Sequence, residues 1–172
     1  MTGVPERSEA AEYYFTYIDQ VPAGDILETL SAQQAETLAL LRGIHDDKSM
    51  ARYAPDKWSV RDVVNHVIDC ERLFVFRAFW FARGFESALP SFDQNVAATS
   101  AGAERRTWDS LLEEFQAVRS ATLTFFRTLP ADAWDQRGLA SDSPFTVRAL
   151  AYVTAGHVAH HVRILRELYF VS

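Results

Sequence analysis

The feature that most constrains this chain is an apolar, helix-favouring run, residues 151–165, that carries three of its five histidines. A helix this apolar belongs in a core, where a polar ring without a partner is costly. Stepping about 100° per residue from His157, the residues Leu150, His161, Ile164 and Leu168 fall within about 40° of it. His160 falls about 60° to the other side, toward Val153 and Glu167. His157 and His161 thus belong to the inward seam, one above the other, and His160 to its flank. A lone inward imidazole is ordinarily a satisfied core residue. Two, one turn apart, can equally share a metal ion.

The rest of the chain supplies helices able to enclose that seam. After Gly24, Asp25 is placed to cap a helix whose inward stripe is Ile26, Leu27, Leu30, Thr37, Leu38, Leu41 and Ile44. Gln33 and Gln34 interrupt this stripe, either at its edge or facing a polar cavity. A second helix starts at Ser59, with Asp62 three residues on as the carboxylate of a capping box. It runs through Val63, His66, Val67, Cys70, Leu73, Phe74, Phe81 and Ala82 to a stop at Gly84. A third keeps its period from Trp108 through Leu111, Leu112, Phe115, Val118, Thr122, Phe125, Phe126 and Leu129 to Pro130, and reads as pure core. Thr146 can cap the fourth, which carries the histidines.

The connection from Phe85 to about Arg106 exceeds the ~2–8 residues that join antiparallel neighbours, so it reads as a crossover along the bundle. Residues 131–144 read as an irregular link. With no convincing alternating strand, the expected fold is all-α, a four-helix bundle with a long crossover between helices 2 and 3. At 172 residues it is expected to be one domain, 1–172. Residues 1–24, rich in aromatics, form an arm packed on the bundle, able to cover a pocket mouth or a partner subunit.

Composition narrows the function. The formal charge of −6 provides no basic footprint for nucleic acid or an anionic membrane. No uncharged apolar run approaches the ~18 residues needed to span a bilayer, and the amino terminus lacks the pattern of a signal peptide. The single cysteine, Cys70, excludes an internal disulfide. A cytoplasmic protein is expected.

A third metal ligand is best sought in His66, which lies in line with Cys70, Leu73 and Arg77 on an inward face of another helix. Three neutral imidazoles suit Zn²⁺, Ni²⁺, Fe²⁺ or Co²⁺, and the ligands alone do not choose among them. Asp62 and Asp69 flank His66 by one turn and can orient an imidazole, or serve only as a cap and a solvated carboxylate. Cys70 can be a soft ligand, a redox thiol or a small core residue. His45, beside Asp46 and Asp47, reads as a solvated loop residue.

Three segments together carry a resemblance to a known family. They are Trp58-Ser-Val-Arg-Asp-Val-Val-Asn-His66-Val-Ile-Asp69-Cys-Glu71-Arg, Leu89-Pro-Ser-Phe-Asp93-Gln, and Val147-Arg-Ala-Leu-Ala-Tyr-Val-Thr-Ala-Gly-His157-Val-Ala-His-His161. In that order they resemble the DinB-like superfamily, from about residue 25 to the carboxyl terminus. The resemblance implies a four-helix bundle with a crossover after the second helix, often a homodimer. It also implies a divalent metal on three histidines, matching His66, His157 and His161. Members include bacillithiol-dependent S-transferases, mycothiol-dependent maleylpyruvate isomerases and proteins assigned as metal-dependent hydrolases.

The first expectation is thus a metal-dependent enzyme on a small-molecule substrate, with transfer of a low-molecular-weight thiol favoured and hydrolysis the nearest variant. Asp69 or Arg77 would position the ligand. The other class is a non-catalytic metal- or ligand-binding protein of a stress response.

Overall fold

The computed structural model describes residues 3–170. Among the described residues there are six α-helices: α1 (Phe15–Ile18), α2 (Ile26–Arg42), α3 (Val60–Ala82), α4 (Gln94–Ala101), α5 (Trp108–Arg127) and α6 (Val147–Ile164). The four long ones, α2, α3, α5 and α6, form where the periodicity places them, while α1 lies in the arm and α4 in the crossover. Each long helix begins at a side-chain cap. Asp25 accepts from the amides of Leu27 and Glu28, Thr107 from Ser110, and Thr146 from Ala149. Ser59 and Asp62 close a full capping box at the start of α3. The left-handed Gly84, φ +76°, follows the end of α3, a conformation glycine adopts without steric cost.

The four long helices α2, α3, α5 and α6 make the expected bundle. Their principal contacts run α2 to α5, α5 to α3, α3 to α6 and α6 back to α2. The consecutive helices α2 and α3 therefore sit on a diagonal. Polar contacts give the directions. Arg61 donates to the Arg106 carbonyl and Arg72 pairs with Glu114, so α3 and α5 run parallel. A parallel neighbour can be reached only by bringing the chain back along the bundle, and α3, at 23 residues, is about 35 Å long. That distance is the physical reason for the crossover, which carries α4 against α3.

Residues 131–144 depart from the expected irregular link. They include most of a two-stranded antiparallel hairpin, β1 (Arg137–Ala140) and β2 (Ser143–Thr146). Its turn residues, Ser141 and Asp142, have φ of 52° and 55°, the double positive φ of a tight two-residue hairpin loop. Strands of four residues holding Gly138 and Pro144 give almost no alternation to read, since both residue types are depleted in strands. Leu89 of the crossover hydrogen-bonds to Leu139 and Ser141, tying hairpin and crossover together.

A second departure lies at the end of α6. Residues Leu165–Tyr169 form a π-helical turn, closed by the Phe170 amide on the Leu165 carbonyl at 3.2 Å. A step of 100° per residue no longer holds there. Leu168, expected on the seam, is 46% exposed.

The amino-terminal arm is two 3₁₀ turns followed by α1, and it packs along α6. Glu9, buried, accepts from Thr146 Oγ1 at 2.7 Å and from Arg148 at 2.9 and 3.0 Å. At Gly156 the arm and α6 touch backbone to backbone, and a Cβ there would lie 2.1 Å from the Tyr17 carbonyl oxygen. Among the described residues, no helix is long and apolar enough to cross a membrane.

The core falls into two apolar clusters. One gathers Phe15, Leu30, Phe74, Leu123 and Tyr152; the other gathers Leu41, Val64, Ile68, Leu111 and Phe115. A buried polar layer runs between them. Arg119 Nε and Nη2 each donate to Glu71 at 2.8 Å, and Arg119 Nη1 donates to the Leu30 carbonyl and to Gln33 Oε1. Gln33 Nε2 in turn donates to the Ala155 carbonyl at 2.8 Å. The α5 helix is therefore not pure core, and Gln33 is a member of a network rather than an edge residue. His157 sits at this same level of α6.

Candidate metal centre

The three histidines singled out by sequence are brought together. Antiparallel packing of α3 on α6 sets His66 opposite His157 and His161, and one ligating nitrogen from each lies within 4.8 Å of the others. The rings meet edge to face, with centroids 5.0 Å apart for His66 and His157, 4.9 Å for His66 and His161, and 4.5 Å for His157 and His161. The Nε2 atoms of His157 and His161 face one another at 3.2 Å. His66 and His157 are each 4% exposed, and His161 is half-buried.

Burial sets the charge of these rings. Desolvation, followed by the nearby His160, pushes His66 down to about 4. Desolvation, then His66 and His160, pushes His161 down to about 3, and His157 is driven well below its ordinary value. Near neutral pH all three are neutral, with one lone pair each for a cation.

The residues fit a divalent metal. Three imidazoles converge, and the Nε2 atoms of His157 and His161 point at each other. Buried polar atoms are nearly always satisfied, and a shared cation accounts for this convergence. Nitrogen-only donor sets suit late first-row divalent ions, and three protein ligands are the arrangement of centres that keep a position for an outside ligand.

The surroundings sort the remaining candidates. Trp58 packs 4.9 Å from the His66 ring, Phe74 5.5 Å from His157, and Tyr17 5.3 Å from His157 and 5.4 Å from His160. His160 itself stays on the flank, its ring beside His161 but outside the cluster. The carboxylate of Asp62 is held by Ser59 and Arg52, so it serves as a cap. Asp69 makes no hydrogen bond to His66; its carboxylate accepts from Asn65 and pairs with Arg72. Cys70 is 5% exposed, with Sγ 3.6 and 3.7 Å from the two His66 nitrogens. Burial, reinforced by Asp69, pushes its thiol up to about 12, which keeps it protonated. His45 is exposed.

A cleft of about 490 Å³ opens beside the cluster, with His157, Cys70 and Phe74 on one side and Tyr13, Tyr14 and Tyr17 of the arm on the other. The arm's tyrosines thus line this cleft. Arg77 lines the same cleft. Its Nη2 donates to Ser141 Oγ at 2.7 Å and to the Pro90 carbonyl at 3.2 Å.

Several contributors escaped the sequence reading. Arg119 and Glu71 sit in register with apolar neighbours, so their inward faces were readable, but not their mutual pairing. Trp58 precedes the cap of α3 and has no helical period to follow. Gly156 interrupts a helix that otherwise favours larger residues, the usual mark of a close backbone approach.

The family model described as DinB superfamily matches residues 29–165. No curated protein matches the chain. Among solved structures, YfiT from Bacillus subtilis, described as a probable metal-dependent hydrolase with an unusual four-helix bundle topology, superposes with a TM-score of 0.70 at 18% identity. It covers 95% of this chain and 90% of its own. A mycothiol-dependent maleylpyruvate isomerase matches with a TM-score of 0.67 at 14% identity, over 80% of this chain and 58% of that one. The chain therefore spans little more than half of the isomerase, and at such identities both likenesses speak to the fold.

Proposed function

Since the chain belongs to the DinB superfamily, matched across residues 29–165, we propose that it is a divalent-metal enzyme acting on small molecules. The metal ligands are His66, His157 and His161, and the reaction is transfer of a low-molecular-weight thiol to an electrophile. The observation that carries this reading is the convergence of three neutral imidazoles within 4.8 Å, two buried and one half-buried, with His157 at the wall of an open cleft. An ion held there supplies Lewis acidity, which lowers the pKa of a bound thiol into the neutral range.

The chain's own residues account for the rest. Burial keeps the imidazoles unprotonated and available. Trp58, Phe74 and Tyr17 wall the cluster and limit water around it. The cleft offers apolar contacts from Leu73, Phe74 and Phe92, with Tyr and Ser hydroxyls to orient a polar substrate.

Hydrolysis is the second reading, favoured by the extent of the likeness to YfiT. It calls for a group that takes a proton from water. Among the described residues the cleft holds one carboxylate, Asp93, which is exposed and accepts from the Asn95 and Val96 amides at the start of α4. A thiol must also lose its proton, to solvent, but with an ordinary pKa of about 8.5 it is far more acidic than water and needs less help to do so, and this difference places transfer first.

Metal analysis of untagged protein tests the centre, with an expected content on the order of one ion per chain that is lost in His157→Ala and His161→Ala. Unchanged metal content in both variants rejects the ligand set. Incubation of the zinc- or nickel-loaded protein with low-molecular-weight thiols and a chromogenic electrophile, beside a chromogenic ester, then separates the chemistries. Thiol-dependent turnover supports transfer, and ester cleavage without thiol supports hydrolysis.

A further inference from the structure

Arg77 is 2% exposed, one of the largest fully enclosed side chains in the molecule, yet among the described residues no carboxylate forms an ion pair with it. The other deeply buried arginine, Arg119, has both oxygens of Glu71. The partners of Arg77 are neutral: the Pro90 carbonyl, Ser141 Oγ and the Tyr14 hydroxyl. Its Nε is buried without any acceptor. A guanidinium does not lose its charge in proteins, and a buried charge is ordinarily paired. Arg77 also lines the cleft beside the histidines, so an anion that enters the cleft meets this side chain.

We propose that the cleft binds a small organic acid whose carboxylate pairs with Arg77, its other end directed toward Cys70 and His157. This rests on the reading of the cleft as the substrate site of the histidine cluster. Among the described residues Arg77 is the one basic side chain that lines the cleft, and with Asp93 also present its single guanidinium matches a single negative charge better than a phosphate dianion. The planar fork of arginine suits a carboxylate, and the Tyr14 and Ser141 hydroxyls stand beside it to share the load. Cys70 and Arg77 lie two turns apart on α3, about 10 Å along the axis. An acid with a short apolar chain spans that distance across Leu73 and Phe74. Positioning by Arg77 would then orient the far end of the acid at the ligating histidines.

The test is titration of the full chain with hexanoate and its neutral analogue hexanamide, both zinc-loaded and after treatment with a chelator. Saturable hexanoate binding is expected in both forms, with hexanamide and the Arg77→Met variant each weaker by about tenfold to a hundredfold, and Arg77→Lys affected less. The Arg77 Nε–Hε NMR signal should shift on addition of hexanoate, a readout that needs no variant to fold. His161→Ala without zinc should still bind hexanoate, so a failure of the metal reading leaves this result standing. The proposal is overturned if no hexanoate binds, if hexanamide binds equally well, or if Arg77→Met binds like the parent. Binding that requires zinc and ignores Arg77 also overturns it, since the carboxylate is then on the ion. Inorganic phosphate displacing hexanoate at equal concentration overturns the choice of a monoanionic acid.

Discussion

Arg119→Met removes one half of the buried pair that ties α5 to α3 and α2. In the native chain Arg119 is fully buried and Glu71 is 2% exposed. Two hydrogen bonds of 2.8 Å join them, and Arg119 adds two more, to Leu30 and Gln33. Methionine keeps most of the volume and supplies no donor, so Glu71 is left with neither oxygen partnered in an apolar interior. Breaking a buried pair from one side costs about 3–5 kcal/mol. That is about a fifth or more of the roughly 5–15 kcal/mol by which domains are stable. For a domain of this size the melting temperature should fall by about 6–20 °C.

The double variant Glu71→Leu/Arg119→Met has no stranded charge and should recover most of the loss, since apolar replacement of a buried pair is often neutral. Urea unfolding followed by circular dichroism, with the slope checked for constancy, gives both numbers. The reasoning fails if Arg119→Met costs less than about 1 kcal/mol, or if the two substitutions simply add. Either result would mean that water or rearrangement satisfies Glu71.

Two further outcomes follow from the arm. Gly156→Ala should destabilise by about 1–3 kcal/mol and speed proteolysis of residues 10–20, because its Cβ would meet the Tyr17 backbone at 2.1 and 2.4 Å. Glycine-to-alanine in an open helix would instead stabilise by up to about 1 kcal/mol, so the sign alone decides. For Glu9, burial pushes the carboxyl up, but hydrogen bonds from Arg148, the Glu6 backbone and Thr146 outweigh it and hold it below its ordinary 4.5. Its contribution is present above pH 4.5 and lost as pH falls through the lower folded value. Glu9→Gln should flatten that acid limb, and parallel urea-midpoint profiles for parent and variant would count against the tether.

The helices were legible because their determinants are local. Apolar period, the caps at Asp25, Ser59 and Thr146, and the glycine at Gly84 lie within a few residues of what they control. The same locality separates His160 from His157 and His161, since their relative directions are fixed by helical pitch. Where local geometry changes, the reading fails. The π turn puts Leu168 outside, and the hairpin at 137–146 is too short and too rich in special residues to announce itself.

Sequence by itself thus determined four amphipathic helices, a crossover long enough to return along the bundle, and two imidazoles on one seam with a third on another inward face. Tertiary structure alone decided which faces meet. It set α3 antiparallel to α6, so that His66 lies opposite the other two. It gave Glu71 to Arg119 as a counter-ion and left Arg77 facing a cleft with none, and it brought Tyr17 down onto Gly156 to wall that cleft. Each of these joins residues far apart in the chain, and no periodicity within one helix carries information about the charge or shape of the surface it will be packed against.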